Sequence, residues 1–303
     1  MTTQPLVSIV MPSYNQADYI ETALDSILGQ DWTRLEVIVQ DGGSTDGTKQ
    51  LLQKKSKQDS RLRWASQPDD GPAAAINTAL GQVRGTVIGW LNSDDCYAPG
   101  AITRAINAFT QHPGWMLCYG EGQHIDAEGN LLERYPTLPS VVNGETHPAG
   151  MLTIPDTTTF QHGCFICQPT VFFKAVMPRL LGPLDQQLKA AFDFDYWLRA
   201  FNAFPGRIGF IPTVQAQSRL HESCITRSQR RRVAIEGMAA LARHQGSAPG
   251  HWVLTYLNEQ IQQGVTPQAL KRDIRQLMQE VRSYMQLHEW QTLYAELENR
   301  HDI

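Results

Sequence analysis

At 303 residues, with 42% hydrophobic and 18% charged residues, the chain has the composition of an ordinary globular protein and length for one large domain or two smaller ones. A net charge of −4 with pI near 6.1 leaves no overall footprint for nucleic acid, and no apolar run reaches the roughly 18 residues of a membrane span. The N-terminus shows no signal-peptide pattern, and five cysteines at 96, 118, 164, 167 and 224 form no disulfide framework, so a reducing cytoplasmic setting is expected.

"LVSIVM" (6–11) is a β-branched, buried strand, broken by "PSYNQ". "ADYIETALDSILGQ" carries apolar residues at 20, 23, 24, 27 and 28, a helical stripe. "LEVIVQD" (35–41) is a second strand, ended by "GGSTDGT", whose Ser, Thr and Asp can cap the helix "KQLLQKKSKQ". "RLRWASQP" is a third strand, and "GPAAAINTALGQV" a helix with Pro in its first turn. "GTVIGWL" is a fourth strand. This alternation predicts an α/β fold with a Rossmann-like, mainly parallel sheet flanked by helices. Ligands of such sheets bind beyond the carboxyl ends of the strands, where "PSYNQ", "DGGSTDG", "QPDDG" and "NSDD" all fall.

From about 96 to 215 the rhythm changes. "GWMLCYG" and "GQHIDAEGNLLERY" read as strands with a turn at "EGN", and "ICQPTVFFKAV" as a strand or strand-turn. "FDFDYWLRAF" opens a helix, "RIGFIPTVQAQSRL" is a returning strand, and 229–300 reads as helical. The "GSAPG" at 246–250 is a turn between helices.

Asp94 and Asp95 at a strand end admit two readings. They could cap the helix in "APGAITRAINAF", since Asp is a favoured cap. Alternatively, they could hold Mg²⁺ or Mn²⁺, which takes one or two carboxylates and bridges to substrate phosphates. Context favours the cation, with the second carboxylate free to accept from a ribose. Asp41, beside two glycines, is either a ligand contact or an Asx turn. Tyr14 could stack on a flat ring or merely cover the sheet edge. No G-x-x-x-x-G-K-[ST] or G-x-G-x-x-G motif is present, so a diphosphate would depend on a metal and basic side chains.

Taken together, "VSIVMPSYNQADYIETALDSILGQ", "EVIVQDGGSTDGT", "AINTALGQVRGTVIGWLNSDD" and "QPTVFF…FDFDYWLRA" resemble the inverting family 2 glycosyltransferases of GT-A fold, over roughly residues 6 to 225. The resemblance implies transfer of a sugar from a nucleotide diphosphate sugar, a UDP-sugar first among them, to a glycan or lipid-linked acceptor in polysaccharide or cell-surface glycan synthesis. Carried over by position, Pro12, Tyr14 and Asp41 would contact the base, Asp94 the ribose and Asp95 the metal. Asp193 matches the general base of the family's E-D motif, while Phe192 replaces the acidic first residue. His221 lies where relatives close a loop over the diphosphate, as a second metal ligand, and Arg227 would neutralise phosphate charge. The domain reading is 1–225 for the transferase domain, divided at 95/96 into nucleotide and acceptor halves, and 226–303 for a C-terminal helical region.

The chemistry needs these parts in any case. An acceptor hydroxyl is a poor nucleophile unless a carboxylate takes its proton, and the leaving diphosphate gains charge that cations stabilise. Asp195, the competing base, is expected to cap its helix or pair with Arg199 at i+4. Arg230, Arg231 and Arg232 read as a solvated helix start, with peripheral attraction to a membrane surface as a minor reading. "HGCFIC" places His162, Cys164 and Cys167 at metal-like spacing without the fourth ligand that zinc wants. Leu270, Ile274, Leu277, Val281 and Tyr284, extended by Leu287, Trp290, Tyr294 and Leu297, form a stripe suited to a homodimer seam or to packing on the catalytic domain. Two other readings stay open: a nucleotidyltransferase, which would want a basic Gly-rich loop at "PSYNQ", and a degenerate nucleotide-sugar binding protein, which would show no transfer.

Overall fold

The structure, a computed structural model, describes residues 4–138 and 154–300. Strands β1 (Val7–Ser13), β2 (Leu35–Asp41), β3 (Leu62–Ser66) and β4 (Val87–Trp90) lie parallel in the order β3-β2-β1-β4. They alternate with helices α1 (Ile20–Leu28), α2 (Thr48–Gln58) and α3 (Pro72–Leu80), as the sequence predicts.

The second half of the sheet is mixed. It comprises β5 (Cys96–Tyr97), then after α4 (Ala101–Gln111) come β6 (Leu117–Ile125), β7 (Leu131–Arg134) and β8 (Phe172–Lys174). Helices α5 (Met177–Leu181) and α6 (Phe192–Ala203) precede the long strand β9 (Ile208–Arg219). The sheet continues from β4 as β8-β6-β9-β5, with β7 against β6. β8 runs antiparallel to both neighbours, whereas β6 and β9 are parallel. The expected turn at "EGN" closes the β6–β7 hairpin with Gly129 at φ 92°, a left-handed conformation open to glycine. "ICQPTVFFKAV" divides into a 3₁₀ turn at Gln168–Thr170 and the short β8, since Pro169 has no N–H to give a ladder.

Period-two alternation assigns the faces. Val7, Ile9 and Met11 point to a core shared with α1 and α4, while Val10 joins the opposite core with α3 and α6. That second core runs on without a break into α8 (Arg230–Gln245), α9 (His251–Gln262), α10 (Pro267–Val281) and Leu293 of α11 (Leu287–Glu298), after the short α7 (Ile225–Ser228). Leu270, Ile274, Leu277 and Val281 of the stripe are therefore buried within this chain, the packing alternative, while Leu287 and Tyr294 further along it stay exposed. The solvated reading of the basic run holds for the exposed Arg232 and is corrected for its two neighbours. Arg230 grips Glu259 through two bonds of 2.7 and 2.5 Å, and Arg231 bonds Asp273 and Glu280, tying α8 to α9 and α10. Asp195 of α6 is 1% exposed, bonded to Arg199 at 3.0 Å and His244 of α8 at 2.8 Å, so the expected i+4 pair exists.

The loops beyond β1 and β2 are stitched to one another. Asn15, at φ 52°, gives its N–H to Ser44 Oγ and accepts from Thr45 N; Gln16 N donates to Thr48 Oγ1 and Ala17 N to Asp46. Gly47, at φ 110°, takes the cap position of α2, and Asp46 before it accepts from Thr48 N at 3.0 Å. Asp41, wholly buried, accepts from Gly43 N, Ser44 N, Ser44 Oγ and Ser66 Oγ: its side chain forms the Asx turn.

Three outcomes are expected. Ending the chain after residue 225 strips the cover from α6, so the fragment should lose cooperative thermal unfolding. Asp195→Ala leaves Arg199 and His244 unpaired and should cost about 3–5 kcal/mol in urea denaturation. Asp41→Ala should cost about 3 kcal/mol by the same measurement, because several donors lose a buried carboxylate together.

Candidate functional site

The carboxyl end of β4 carries a dense polar network. Trp90 donates through Nε1 to Asn92 Oδ1 at 3.1 Å, and Asn92 Nδ2 reaches Asp95 Oδ2 at 3.1 Å and Gln168 Oε1 at 2.9 Å. Gln168 returns a bond to the Trp90 carbonyl at 2.9 Å, fixing the amide planes. Asp95 is 3% exposed, and its Oδ1 accepts from the backbone N–H of Arg219 at 2.8 Å. The Arg219 guanidinium instead serves the carbonyls of Asp94, Asp126 and Ala127. Among the described residues no cationic side chain pairs with Asp95. Burial, and then the adjacent Asp94, hold its carboxyl well above the usual carboxylate range.

Asp94 Oδ2 accepts from His221 Nε2 at 3.0 Å, and Nδ1 of the ring meets Ser223 Oγ at 3.0 Å. The helix-cap reading of the pair fails, because α4 begins at Ala101 with Gly100 in the cap position at φ 76°. His221 thus stands against Asp94, and the nitrogen that could ligate a metal is engaged there. Tyr19 packs on the imidazole with ring centres 4.7 Å apart.

Asp193 occupies the first turn of α6 and accepts from Phe194 N at 2.7 Å. Burial pushes its carboxyl up to about 6, against these backbone bonds. Asp193 and Asp95 line one cavity of about 360 Å³. Phe192, in place of an acidic neighbour, stacks on Trp90 with ring centres 5.8 Å apart, so desolvation, unaided by an adjacent charge, raises Asp193. Asp195 lies outside the cavity lining, spent on Arg199 and His244.

Other expected positions fall as follows. Tyr14 is 62% exposed, with Pro12 buried beneath it in β1. A Cβ at Gly42 would come within 3.3 Å of Tyr14 and 3.2 Å of both Asp69 carboxylate oxygens, so glycine keeps a narrow slot open between them. Asp69 was not singled out in the sequence, where "QPDD" gave only a polar loop. Arg227 is exposed on α7 and is not among the residues that line the cavity of Asp95 and Asp193. Cys164 and Cys167 line the cavity as thiols, the first pushed up to about 12 by burial, and His162 stacks on His251; among the described residues no metal group forms there. Also unforeseen are His124, Tyr135, His251 and Trp252, which wall the cavity. Single residues on a strand and helix carry no local signal of convergence.

A divalent cation fits the Asp94–Asp95 end of this site. Oxygen donors with one nearby imidazole suit Mn²⁺ or Mg²⁺, and the buried, uncompensated Asp95 carboxyl is the group such charge would stabilise. No three His, Cys, Asp or Glu side chains among the described residues are gathered into a cage, so phosphate oxygens and water would complete the shell.

Known proteins resemble this chain in sequence and in fold. Residues 8–173 match the model of Glycosyl transferase family 2. Chondroitin synthase of Escherichia coli is 32% identical over 201 residues, 66% of this chain and 27% of that protein, and hyaluronan synthase of Pasteurella multocida is 36% identical over 128 residues, 42% of this chain and 13% of that protein. The chain thus spans about a quarter or less of these relatives. S. aureus TarS 1-349, solved with UDP-GlcNAc, superposes with TM-score 0.60 at 19% identity over 91% of this chain and 81% of TarS. The mannosyltransferase PcManGT of Pyrobaculum calidifontis, solved with GDP-Man and Mn²⁺, superposes at 0.58 with 18% identity, over 98% of this chain and 81% of that one. The fold is the expected GT-A arrangement, and the chain is a member of glycosyl transferase family 2.

Proposed function

We propose that this glycosyltransferase moves a glycosyl unit from a nucleoside diphosphate sugar, a UDP-sugar first, onto an acceptor hydroxyl with inversion, in the synthesis of a polysaccharide or surface glycan. The observation that carries the reading is the pairing of Asp95 and Asp193 on one cavity, both carboxyls raised by burial, delivered from the end of β4 and the start of α6. The neighbours' complexes with UDP-GlcNAc and with GDP-Man and Mn²⁺ support a nucleotide-sugar donor and a divalent cation.

Asp95 would hold Mn²⁺ or Mg²⁺, His221 would join as a second protein ligand on giving up its bond to Asp94, and the cation would supply charge against the leaving diphosphate. Asp94 would accept from the ribose. Tyr14 offers its exposed ring to the base above Pro12, and Asp41 serves that pocket by fixing the loop that frames it. Arg227, exposed on α7, is the candidate for phosphate charge. Asp193 accepts the proton of the attacking hydroxyl. A carboxyl near 6 is mostly ionised at neutral pH and still basic enough to matter, which favours an active enzyme over a degenerate binder.

The transfer rate should climb with pH through about 6 as Asp193 ionises. Asp193→Asn should lower turnover about 10²–10⁴-fold and change donor affinity little. The same variant should be more stable than wild type above pH 6. Because the raised carboxyl keeps a proton that the unfolded chain releases, native stability is full below the unfolded value and is lost as pH rises through about 6, a loss of order 3 kcal/mol that Asn removes. A flat pH–rate profile, or an Asp193→Asn enzyme with full turnover, contradicts the assignment. Asp95→Ala should abolish metal-dependent nucleoside diphosphate binding in calorimetry; affinity that ignores both the substitution and EDTA would refute the cation role.

A further inference from the structure

The family match ends at residue 173, and Asp193 lies beyond it, reached through a stretch without regular structure at 182–191. Such a stretch keeps its shape only where its backbone groups find partners. Asn77 of α3 bonds both the N–H and the carbonyl of Leu184, at 2.8 and 2.9 Å, and Arg199 takes the carbonyls of Leu181 and Pro183. Lys189 Nζ donates to the Asp70 carbonyl at 2.7 Å. For the backbone of the three residues directly before α6, the partner comes from the C-terminal helices. Glu236 of α8 accepts from the N–H of Lys189 at 3.0 Å, of Ala190 at 2.7 Å and of Ala191 at 2.9 Å.

Three consecutive N–H groups thus converge on one carboxylate, an anion nest filled by the protein's own side chain. Bonds of this charged kind are shorter and stronger than neutral ones. The Glu236 side chain is only 14% exposed, which keeps water from competing for them, and the exposed Arg232 comes no nearer to it than 4.0 Å. Ala191 occupies the cap position of α6 and has no side-chain cap of its own. Glu236 supplies from a distant helix the half of a capping box in which a carboxylate accepts from the cap residue's N–H. Ala190, Ala191 and Asp193 line the cavity, and Glu236 is not among its lining residues. It grips the wall from behind. The grip matters for rate, because a misplacement of about 1 Å can cost about 10²-fold.

We infer that Glu236 is a positioning residue for Asp193: by holding the backbone of 189–191 it sets where α6 begins and so where the base stands. The inference rests on Asp193 as the base and goes beyond it by making α8, outside the family match, part of the catalytic apparatus.

The test follows hydrolysis of UDP-GlcNAc, UDP-glucose, UDP-galactose and GDP-mannose by the full chain with Mn²⁺. Water there replaces the acceptor hydroxyl and gives its proton to the same base. Rates are taken per donor-binding site and well below the unfolding midpoint, so that lost stability alone does not register. On the donor hydrolysed fastest, Glu236→Ala should lower kcat about 10–100-fold while donor affinity in calorimetry stays within about twofold. Glu236→Gln, which keeps an accepting oxygen, should recover part of the loss. Added to Asp193→Asn, Glu236→Ala should cost less than about twofold more, since a residue that acts through the base then has nothing left to position. Full turnover in Glu236→Ala, a parallel loss of donor affinity, or a loss as large beside Asp193→Asn as in the wild type overturns the inference. Should Glu236→Ala not fold, Glu236→Gln carries the same cycle, and failure of both to fold makes Glu236 a folding residue and overturns it too. A wild-type chain that hydrolyses none of the four donors refutes the transferase reading itself, and the positioning role falls with it.

Discussion

A carboxyl group taken out of water without a cation to meet it is the constraint around which this molecule is arranged. Asp95 is buried at the end of β4, its oxygens fixed by Asn92 and the Arg219 backbone, while the guanidinium of Arg219 serves carbonyls close by. Every folded molecule carries that desolvation cost. The cost is offset by a core that runs through both faces of the sheet, and it leaves a position whose charge is balanced best by something that binds.

Asp193 obeys the same logic by a different route. Where an acidic neighbour would raise its carboxyl by repulsion, Phe192 on Trp90 leaves burial to do so. The C-terminal helices matter here, because α8 and α9 close the cavity as well as covering α6. The element that stabilises the fold therefore also walls the cavity of Asp95 and Asp193. Loop stitching at Asn15, Ser44 and Asp46 holds together the loops beyond β1 and β2 without a glycine-rich phosphate cradle.

The parallel half of the sheet was legible because its strands and helices differ in period and are punctuated by Gly, Pro and Asp at each strand end. Asp95 and Asp193 could be read for the same reason, since each sits at an element boundary within a family-like stretch. The mixed half was less legible: β5 has two residues and β8 three, too short for alternation to show. Asp195 was read correctly from its i+4 spacing to Arg199, but its bond to His244 joins residues far apart in sequence. The stripe on α10 fixed an apolar face and could not say what covers it; the covering helices are its own neighbours. His124 and His251 were invisible for a related reason, because an isolated histidine acquires meaning only when folding places it in a cavity wall.

The central claim is that Asp95 is a buried carboxyl waiting for positive charge. A carboxyl-carbon NMR titration of the aspartates, in the metal-free protein and again with saturating Mg²⁺ and UDP, addresses it directly. Asp95 should titrate well above the ordinary carboxylate range without metal and fall markedly once both ligands are present, while Asp193 keeps its value of about 6. An Asp95 that titrates in the ordinary range and ignores the cation would contradict the account.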